Sequence, residues 1–264
     1  MTVDILICTI DEGVLRVPEV LMEPCEGIGY VVSMQYTDES YLSMVPDVIR
    51  ERKDVILSCV PGRGLSVNRN NALSLSEADI RVIADDDNRY ERSFIDRIVS
   101  AYAVRPDADV VCFAAESYDG RLMKSYPSVP MTYGEAFSRG YYPTSMEMTM
   151  RRRVDVRFDS RFGLGSERLC AGEEDVFMKD VCDAGFNALF VPEVIVRSRF
   201  HTTGCDFLTN ECLQVTKGAT FRYIFGVREA IWRSVKEACY HLVYSHVNPF
   251  SIFCNMMKGI WMYR

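Results

Sequence analysis

Val82–Asn88 reads VIADDDN. An apolar run enters three consecutive carboxylates and ends on an asparagine. Clustered like charges raise one another's pKa, and a bound cation is the usual means of keeping them ionised at the end of a buried strand. The stretch therefore reads as the metal corner of a site built where a strand stops. Hard divalent cations such as Mg2+ or Mn2+ take one or two carboxylates together with phosphate oxygens. In Asp85-x-Asp87 one acid can serve the metal and the other a ribose hydroxyl; the competing reading is a solvated acidic turn.

Working outward, Ile80–Ala84 is one of five short apolar runs. The others are Asp4–Thr9, Tyr30–Gln35, Val55–Val60 and Asp109–Ala115. Runs of this length without polar alternation suit strands buried on both faces. Between them lie helical patterns: Tyr41–Lys53 with one proline, Ser66–Leu75 with Ser66 as N-cap, and a one-sided stripe of Phe94, Ile95, Ile98, Val99 and Tyr102. Strands alternating with helices predict βαβ units and an α/β fold with a mostly parallel sheet. Ligands of such sheets bind at the carboxyl ends of the strands, so the loops Thr9–Glu12, Tyr36–Ser40 and Asp85–Asn88 are expected to converge on one edge.

The second half is less regular. Asp119-Gly120 signals a hairpin turn, Ser145–Met150 alternates like a strand, and Phe186–Val191 and Val194–Ser198 are strand-like. Phe158–Glu167 is a glycine-bearing loop long enough to suggest function. Gly172–Ala184 predicts a helix with Glu173, Glu174 and Asp175 at its start, where acids are electrostatically favoured and where one could accept a proton from an attacking hydroxyl. Arg63 to Asn71 (RGLSVNRNN) sets guanidinium groups beside helix N-terminal amides, a combination suited to a diphosphate. His201 follows the last strand-like segment and is a candidate further metal or phosphate contact. After Thr216 a long amphipathic helix is expected to about Tyr244, and Asn248-Pro249 opens a last helix.

Composition bounds the rest. The 264 residues are 48% hydrophobic with net charge −7, enough for one large domain and unlike a dedicated nucleic-acid binder. From Thr216 on, seven basic residues meet two acidic ones, so this tail is near +5 and the remainder near −12. Ten cysteines occur with no CxxC pair, and Cys8, Cys59, Cys112 and Cys239 sit in apolar runs, which reads as buried free thiols in a reducing compartment. The N-terminus reads as a strand and not a signal peptide. No apolar run approaches the roughly 18 residues needed to span a bilayer. There is no GxGxxG motif or P-loop.

The ordered set of a strand ending at Thr9, an acid-bearing loop after the second strand, GRGLSVNRNNAL, IADDDN and GEEDVFM resembles family-2 glycosyltransferases over roughly residues 3–205. Those are inverting enzymes of the GT-A fold, whose first strand usually ends in Pro-Thr-Tyr-Asn; here it reads Cys8-Thr9-Ile10-Asp11. The resemblance implies a Rossmann-like central sheet flanked by helices, with a catalytic domain over 1–215 and a helical extension over 216–264. Within the domain, the nucleotide-sugar half is about 1–115 and the acceptor half about 116–215. It implies a nucleotide-sugar site of Thr9, Asp11, Asp38, Arg63, Arg69, Asn70, Asp85 and Asp86, and a Mn2+ or Mg2+ on Asp87 with Asp85 and His201. The catalytic base that the resemblance implies is Asp175, or Glu174 if the register shifts by one. The implied donor is a UDP-sugar, and the implied acceptor a glycan or lipid-linked hydroxyl in surface polysaccharide synthesis. The implied place is the cytoplasm, at the inner membrane face if the basic, aromatic tail touches lipid; otherwise the tail is a packed helical cover. Two other classes share some of these features. A metal-dependent phosphoester hydrolase would use Asp11 as nucleophile, and a non-catalytic nucleotide-sugar binder would bind without turnover.

Overall fold

A computed structural model describes residues 1–200, 206–245 and 248–263. Among these, eight strands form one mixed sheet in the order β3-β2-β1-β4-β7-β5-β8-β6. The strands are β1 Val3–Ile10, β2 Ile28–Tyr36, β3 Val55–Pro61, β4 Ile80–Asp85, β5 Val110–Ser117, β6 Met131–Thr132, β7 Met148–Arg151 and β8 Ala188–Ser198. The first four pair in parallel, as do β5 and β8. The short β7 runs antiparallel to both neighbours and joins the two parallel groups, and β6 is antiparallel to β8.

The apolar runs explain this order. β1 and β4 are buried on both faces through Ile5, Leu6, Ile7, Val82, Ile83 and Ala84, which suits them to the interior of the sheet. β3 alternates between half-buried and exposed and lies at the edge, where its terminal Pro61 removes no needed donor. Helices α1 Asp47–Glu51, α2 Leu65–Leu75, α3 Arg92–Val104, α4 Tyr133–Ser138 and α5 Glu173–Asp183 connect and flank the strands. The α3 stripe of Phe94, Ile95, Ile98 and Tyr102 is buried in the same core as Val111 and Phe113 of β5.

The chain divides into two compact units. The first holds residues 1–63, 67–157 and 180–200, with the whole sheet; the second holds 64–66, 158–179 and 201–264. The second has its own small core of Phe162, Leu169, Val176, Val215 and Ala219. It includes α6 Glu211–Ser245 and α7 Pro249–Met262. Gly226 breaks α6 with φ 76° and ψ 171°, a conformation essentially confined to glycine. The chain reverses there, because Lys217 Nζ reaches Glu237 Oε1 at 2.5 Å and Phe207 lies 5.3 Å from the His241 ring. α7 packs on the first half of α6 at backbone distance. A Cβ on Gly218 would fall 1.9 Å from the Met256 carbonyl oxygen, and one on Gly259 1.8 Å from that of Val215.

Several expectations are corrected. Pro46 ends the first turn of the predicted 41–53 helix, leaving a 3-10 turn at Glu39–Met44 and the five-residue α1. Ser66 is not an N-cap: it lies inside α2 and donates to the Phe162 carbonyl at 2.7 Å. The alternating Ser145–Met150 begins as a 3-10 turn, Ser145–Glu147, before β7. The two strand-like pieces at 186–198 form one strand, β8, with register shifts against β5. The long helix starts at Glu211, five residues before Thr216. Cys170 and Cys212 are joined as a disulfide with Cα atoms 6.2 Å apart, so the reading of every cysteine as a free thiol fails for this pair. Cys8 and Cys112 are buried as expected, whereas Cys59 and Cys239 are exposed.

Candidate nucleotide-sugar site

The order β2-β1-β4 brings the three polar loops to one sheet edge in the first unit. Cys8 pairs with Asp85, and Thr9 and Ile10 pair with Met34 and Gln35, so the carboxyl ends of the three strands are level. Asp11 has φ 50°, the one non-glycine with positive φ among the described residues. Its carboxylate accepts from Thr37 N at 2.7 Å and Thr37 Oγ1 at 2.9 Å, which ties the loop after β1 to the loop after β2. Asp38 is exposed and caps the following turn by accepting from Ser40 N at 2.8 Å. Its hydrogen bonds from Ser40 hold its carboxyl below the ordinary range.

The three aspartates occupy a turn closed by Asn88. Asp85 N donates to Asn88 Oδ1 at 2.9 Å and Asn88 N to the Asp85 carbonyl at 3.2 Å. Asn88 is fully buried and its Nδ2 donates to Ser198 Oγ at 3.2 Å. Each carboxylate then meets different neighbours. Asp85 lies 3.4 Å from Nη2 of the buried Arg69 and accepts from Ser145 Oγ at 3.3 Å. Asp86 is gripped by Arg16, from Nε at 3.0 Å and Nη2 at 2.8 Å, and by Thr9 Oγ1 at 2.5 Å. Gly13 makes this grip possible: a Cβ there would lie 2.3 Å from Asp86 Oδ2 and 2.4 Å from Thr9 Oγ1. Among the described residues the Asp87 side chain has longer contacts only, with Ser198 Oγ at 3.4 Å and Arg199 Nε at 3.8 Å, while its backbone carbonyl accepts from the Tyr118 hydroxyl. Burial, then the charges of Asp85 and Asp86, hold the Asp87 carboxyl above the ordinary range, against the opposing pull of Arg199 and Arg16.

The expected residues are thus placed unevenly. Thr9, Arg69, Asp85, Asp86 and Asp87 come together, and Asp11 braces the same edge. Arg63 is exposed in the turn after β3. Asn70 is half-buried, and its carbonyl accepts from Arg157 Nη1 at 3.3 Å. Its neighbour Asn68 instead joins the edge, donating from Nδ2 to the Thr9 carbonyl at 2.9 Å. His201 lies outside the described residues. Glu174 and Asp175 belong to the second unit, half-buried in the first turn of α5, with Glu173 buried beside them. In that unit Leu65 N donates to the Leu164 carbonyl at 2.8 Å, so the glycine loop predicted over 158–167 is pinned to the start of α2.

Arg16 and Asn88 were missed by sequence reasoning. Asn88 has a signal, an amide directly after an acidic turn, but Arg16 lies seventy residues from Asp86 inside a stretch that reads as loop. Among the described residues, no group of three or more His, Cys, Asp or Glu side chains is arranged to hold a metal by itself. The donor set still fits a cation that arrives with phosphate oxygens, which needs one or two carboxylates. Asp87, whose carboxyl is held up first by burial and then by Asp85 and Asp86, is the acid of the turn that such a cation would meet if one bound there.

No protein-family model and no curated protein matches the chain. Solved structures do. Residues 1–349 of the glycosyltransferase TarS of S. aureus superpose with TM-score 0.61 at 12% identity, covering 100% of this chain and 93% of that one. The same TarS fragment in complex with UDP-GlcNAc gives TM-score 0.55 at 10% identity over 100% and 93% of the chains, and in complex with UDP 0.55 at 14% over 95% and 74%. The fold is therefore GT-A-like, a central α/β sheet flanked by helices.

Proposed function

We propose that this chain is an inverting glycosyltransferase that moves a sugar from a nucleoside diphosphate, UDP in the favoured reading, to a hydroxyl of a glycan or lipid-linked acceptor in surface polysaccharide assembly. The observation that carries this reading is the edge at β2-β1-β4, where Thr9, Arg16, Arg69 and three separately held aspartates meet at the carboxyl ends of parallel strands. The GT-A-like fold supports it, as does the finding that solved neighbours hold UDP and UDP-GlcNAc.

In this reading Thr9 and Asp38 contact the nucleoside, Asp85 the ribose, and Asp87 with Asp85 the cation. The exposed Arg63 assists at the diphosphate, while the buried Arg69 acts through Asp85, 3.4 Å from its Nη2. A divalent cation such as Mn2+ or Mg2+, when bound, supplies positive charge to the diphosphate as it leaves. Asp175 accepts the proton of the acceptor hydroxyl, with Glu174 as the alternative base. The hydroxyl oxygen bonds to the anomeric carbon as the bond to the diphosphate breaks, and the electron pair departs with the diphosphate. One in-line displacement inverts the centre, unlike retention through a carboxylate nucleophile.

The hydrolase alternative is disfavoured by Asp11, the nucleophile it would need, because both its oxygens accept hydrogen bonds from Thr37. The test is a thermal-shift series of nucleoside diphosphates with Mn2+, followed by transfer assays with the matching sugars. UDP should raise the melting temperature, and Asp175→Asn should abolish transfer while leaving that shift intact. A full transfer rate in Asp175→Asn would move the base elsewhere, and no shift with any nucleotide would remove the donor reading.

A further inference from the structure

The three aspartates after β4 are held in two different ways. Asp85 and Asp86 are held by their carboxylates: Arg69 and Ser145 meet the first, Arg16 and Thr9 the second. Asp87 is held by its peptide. The Asp87–Asn88 peptide unit is tied at both ends, its N–H donating to the Asp85 carbonyl at 3.2 Å and its carbonyl oxygen accepting from the Tyr118 hydroxyl. The next residue is tied as well, Arg89 N donating to the Arg197 carbonyl at 2.8 Å and Arg197 N to that of Arg89 at 3.0 Å.

A carboxylate that serves a cation must be fixed in direction by the groups around it. Partners on the carboxylate fix it by using its lone pairs. A hold on the peptide sets the direction of the Cα–Cβ bond and uses none of them. Of the two ties on the Asp87–Asn88 peptide, the Asp85 carbonyl belongs to the turn itself. Tyr118 comes from the hairpin that follows β5, closed by Ser117 N to the Arg121 carbonyl at 2.7 Å and by Met123 N to that of Ala115 at 3.0 Å. Its ring stands 5.5 Å from the Arg89 guanidinium, whose Nη1 donates to the Asn88 carbonyl at 2.8 Å. The hydroxyl therefore reaches the turn from a short, closed hairpin, with its ring braced by the residue two places past Asp87.

We propose that Tyr118 is a positioning residue for the divalent cation: its hydroxyl orients the Asp87–Asn88 peptide, and through it the Asp87 carboxylate, for a cation that arrives with the nucleoside diphosphate. This rests on the donor reading above. The competing role is structural, a hairpin fastened to a nearby carbonyl. The two differ in what a lost hydroxyl does. A fastening contributes to thermal stability whether or not metal is present. A positioning contact shows itself in metal-dependent binding, and only while residue 87 is a carboxylate.

Tyr118→Phe removes one oxygen atom from a residue that is 46% exposed, so the fold is expected to persist, as thermal melting checks. The affinity of the full chain for UDP is measured by isothermal titration calorimetry with Mn2+ and again with EDTA. In wild type Mn2+ should tighten UDP. Tyr118→Phe should reduce that tightening by about fivefold, the size of one net hydrogen bond, and leave the affinity in EDTA unchanged. In an Asp87→Ala background Tyr118→Phe should change neither affinity. Metal-dependent tightening that is unchanged in Tyr118→Phe would overturn the proposal, whatever the melting temperature does. So would a loss equal in EDTA, or one that persists in Asp87→Ala. UDP binding by wild type that Mn2+ does not tighten would overturn it too, while leaving the donor reading in place. A wild type that binds no UDP under either condition would remove the UDP donor reading and this proposal with it.

Discussion

Two carboxylates of the same unit stand in opposite states. Glu147 is fully buried and satisfied on every side: Tyr126 and Tyr141 donate hydroxyls at 2.8 and 2.9 Å, Thr144 its backbone N–H at 3.2 Å, and Lys124 Nζ lies 3.0 Å away. Asp87 is partly buried, crowded by two like charges, and among the described residues its side chain has only long contacts, with Ser198 and Arg199. The first carboxylate completes a structure; the second has no side-chain partner nearer than 3.4 Å among the described residues. The two regions are joined, because Glu147 roots the turn from which Ser145 reaches Asp85. The difference teaches that a buried acid marks a candidate site by the partners it lacks, since burial with full satisfaction is what an anchor needs.

That contrast can be broken by substitution. Glu147→Ala removes the buried acceptor shared by Lys124, Tyr126 and Tyr141 and should cost about 3 kcal/mol or more of unfolding free energy, read by chemical denaturation. A loss below about 1 kcal/mol would end its role as anchor. Asp87→Ala should leave stability unchanged or raise it slightly, because a crowded charge is removed, while transfer activity falls by about a hundredfold or more. If Asp87→Ala unfolded the protein, the two carboxylates would not differ in kind.

Asp86 lies between these extremes, held on both oxygens by Arg16 and Thr9 with its side chain 13% exposed. A double-mutant cycle on Arg16→Ala and Asp86→Asn should give a coupling energy of about 1 kcal/mol, since Arg16 is about half exposed. A zero coupling would show the bidentate grip to be energetically idle. The smallest effect belongs to Asp54, whose carboxyl is held below its ordinary range by the hydrogen bond from Arg52. A depressed folded-state pKa contributes stability above the ordinary carboxylate value and loses it as pH falls through the depressed one. The difference between wild type and Asp54→Asn should accordingly be about 0.5 kcal/mol at neutral pH and shrink as pH falls below the ordinary carboxylate range, by denaturation across that range.

The four parallel strands at one side of the sheet were legible because each is a continuous apolar run ending in polar residues, and VIADDDN marked the edge they share. The antiparallel β7 was not, because three residue pairs to β4 and three to β5 leave little pattern in a four-residue strand. Arg16 was hidden by sequence distance, and so was the Cys170–Cys212 bond, which spans 42 residues without a local motif. The family resemblance points to Asn70, the end of the Gly64–Asn70 pattern, and only the turn of α2 shows that Asn68 is the amide that meets β1. The aromatics of α6 were visible as composition, but their placement depends on the reversal at Gly226.

That reversal also sets a length. As an unbroken rod the 35 residues of α6 would measure about 52 Å, nearly twice the thickness of a bilayer's hydrocarbon core. One backbone angle of 76°, which alanine adopts only under strain, folds this contour back on itself. Translational diffusion of the isolated chain is therefore governed in part by a residue with no side chain, and a substitution that healed the break would be seen first as a slower-moving molecule.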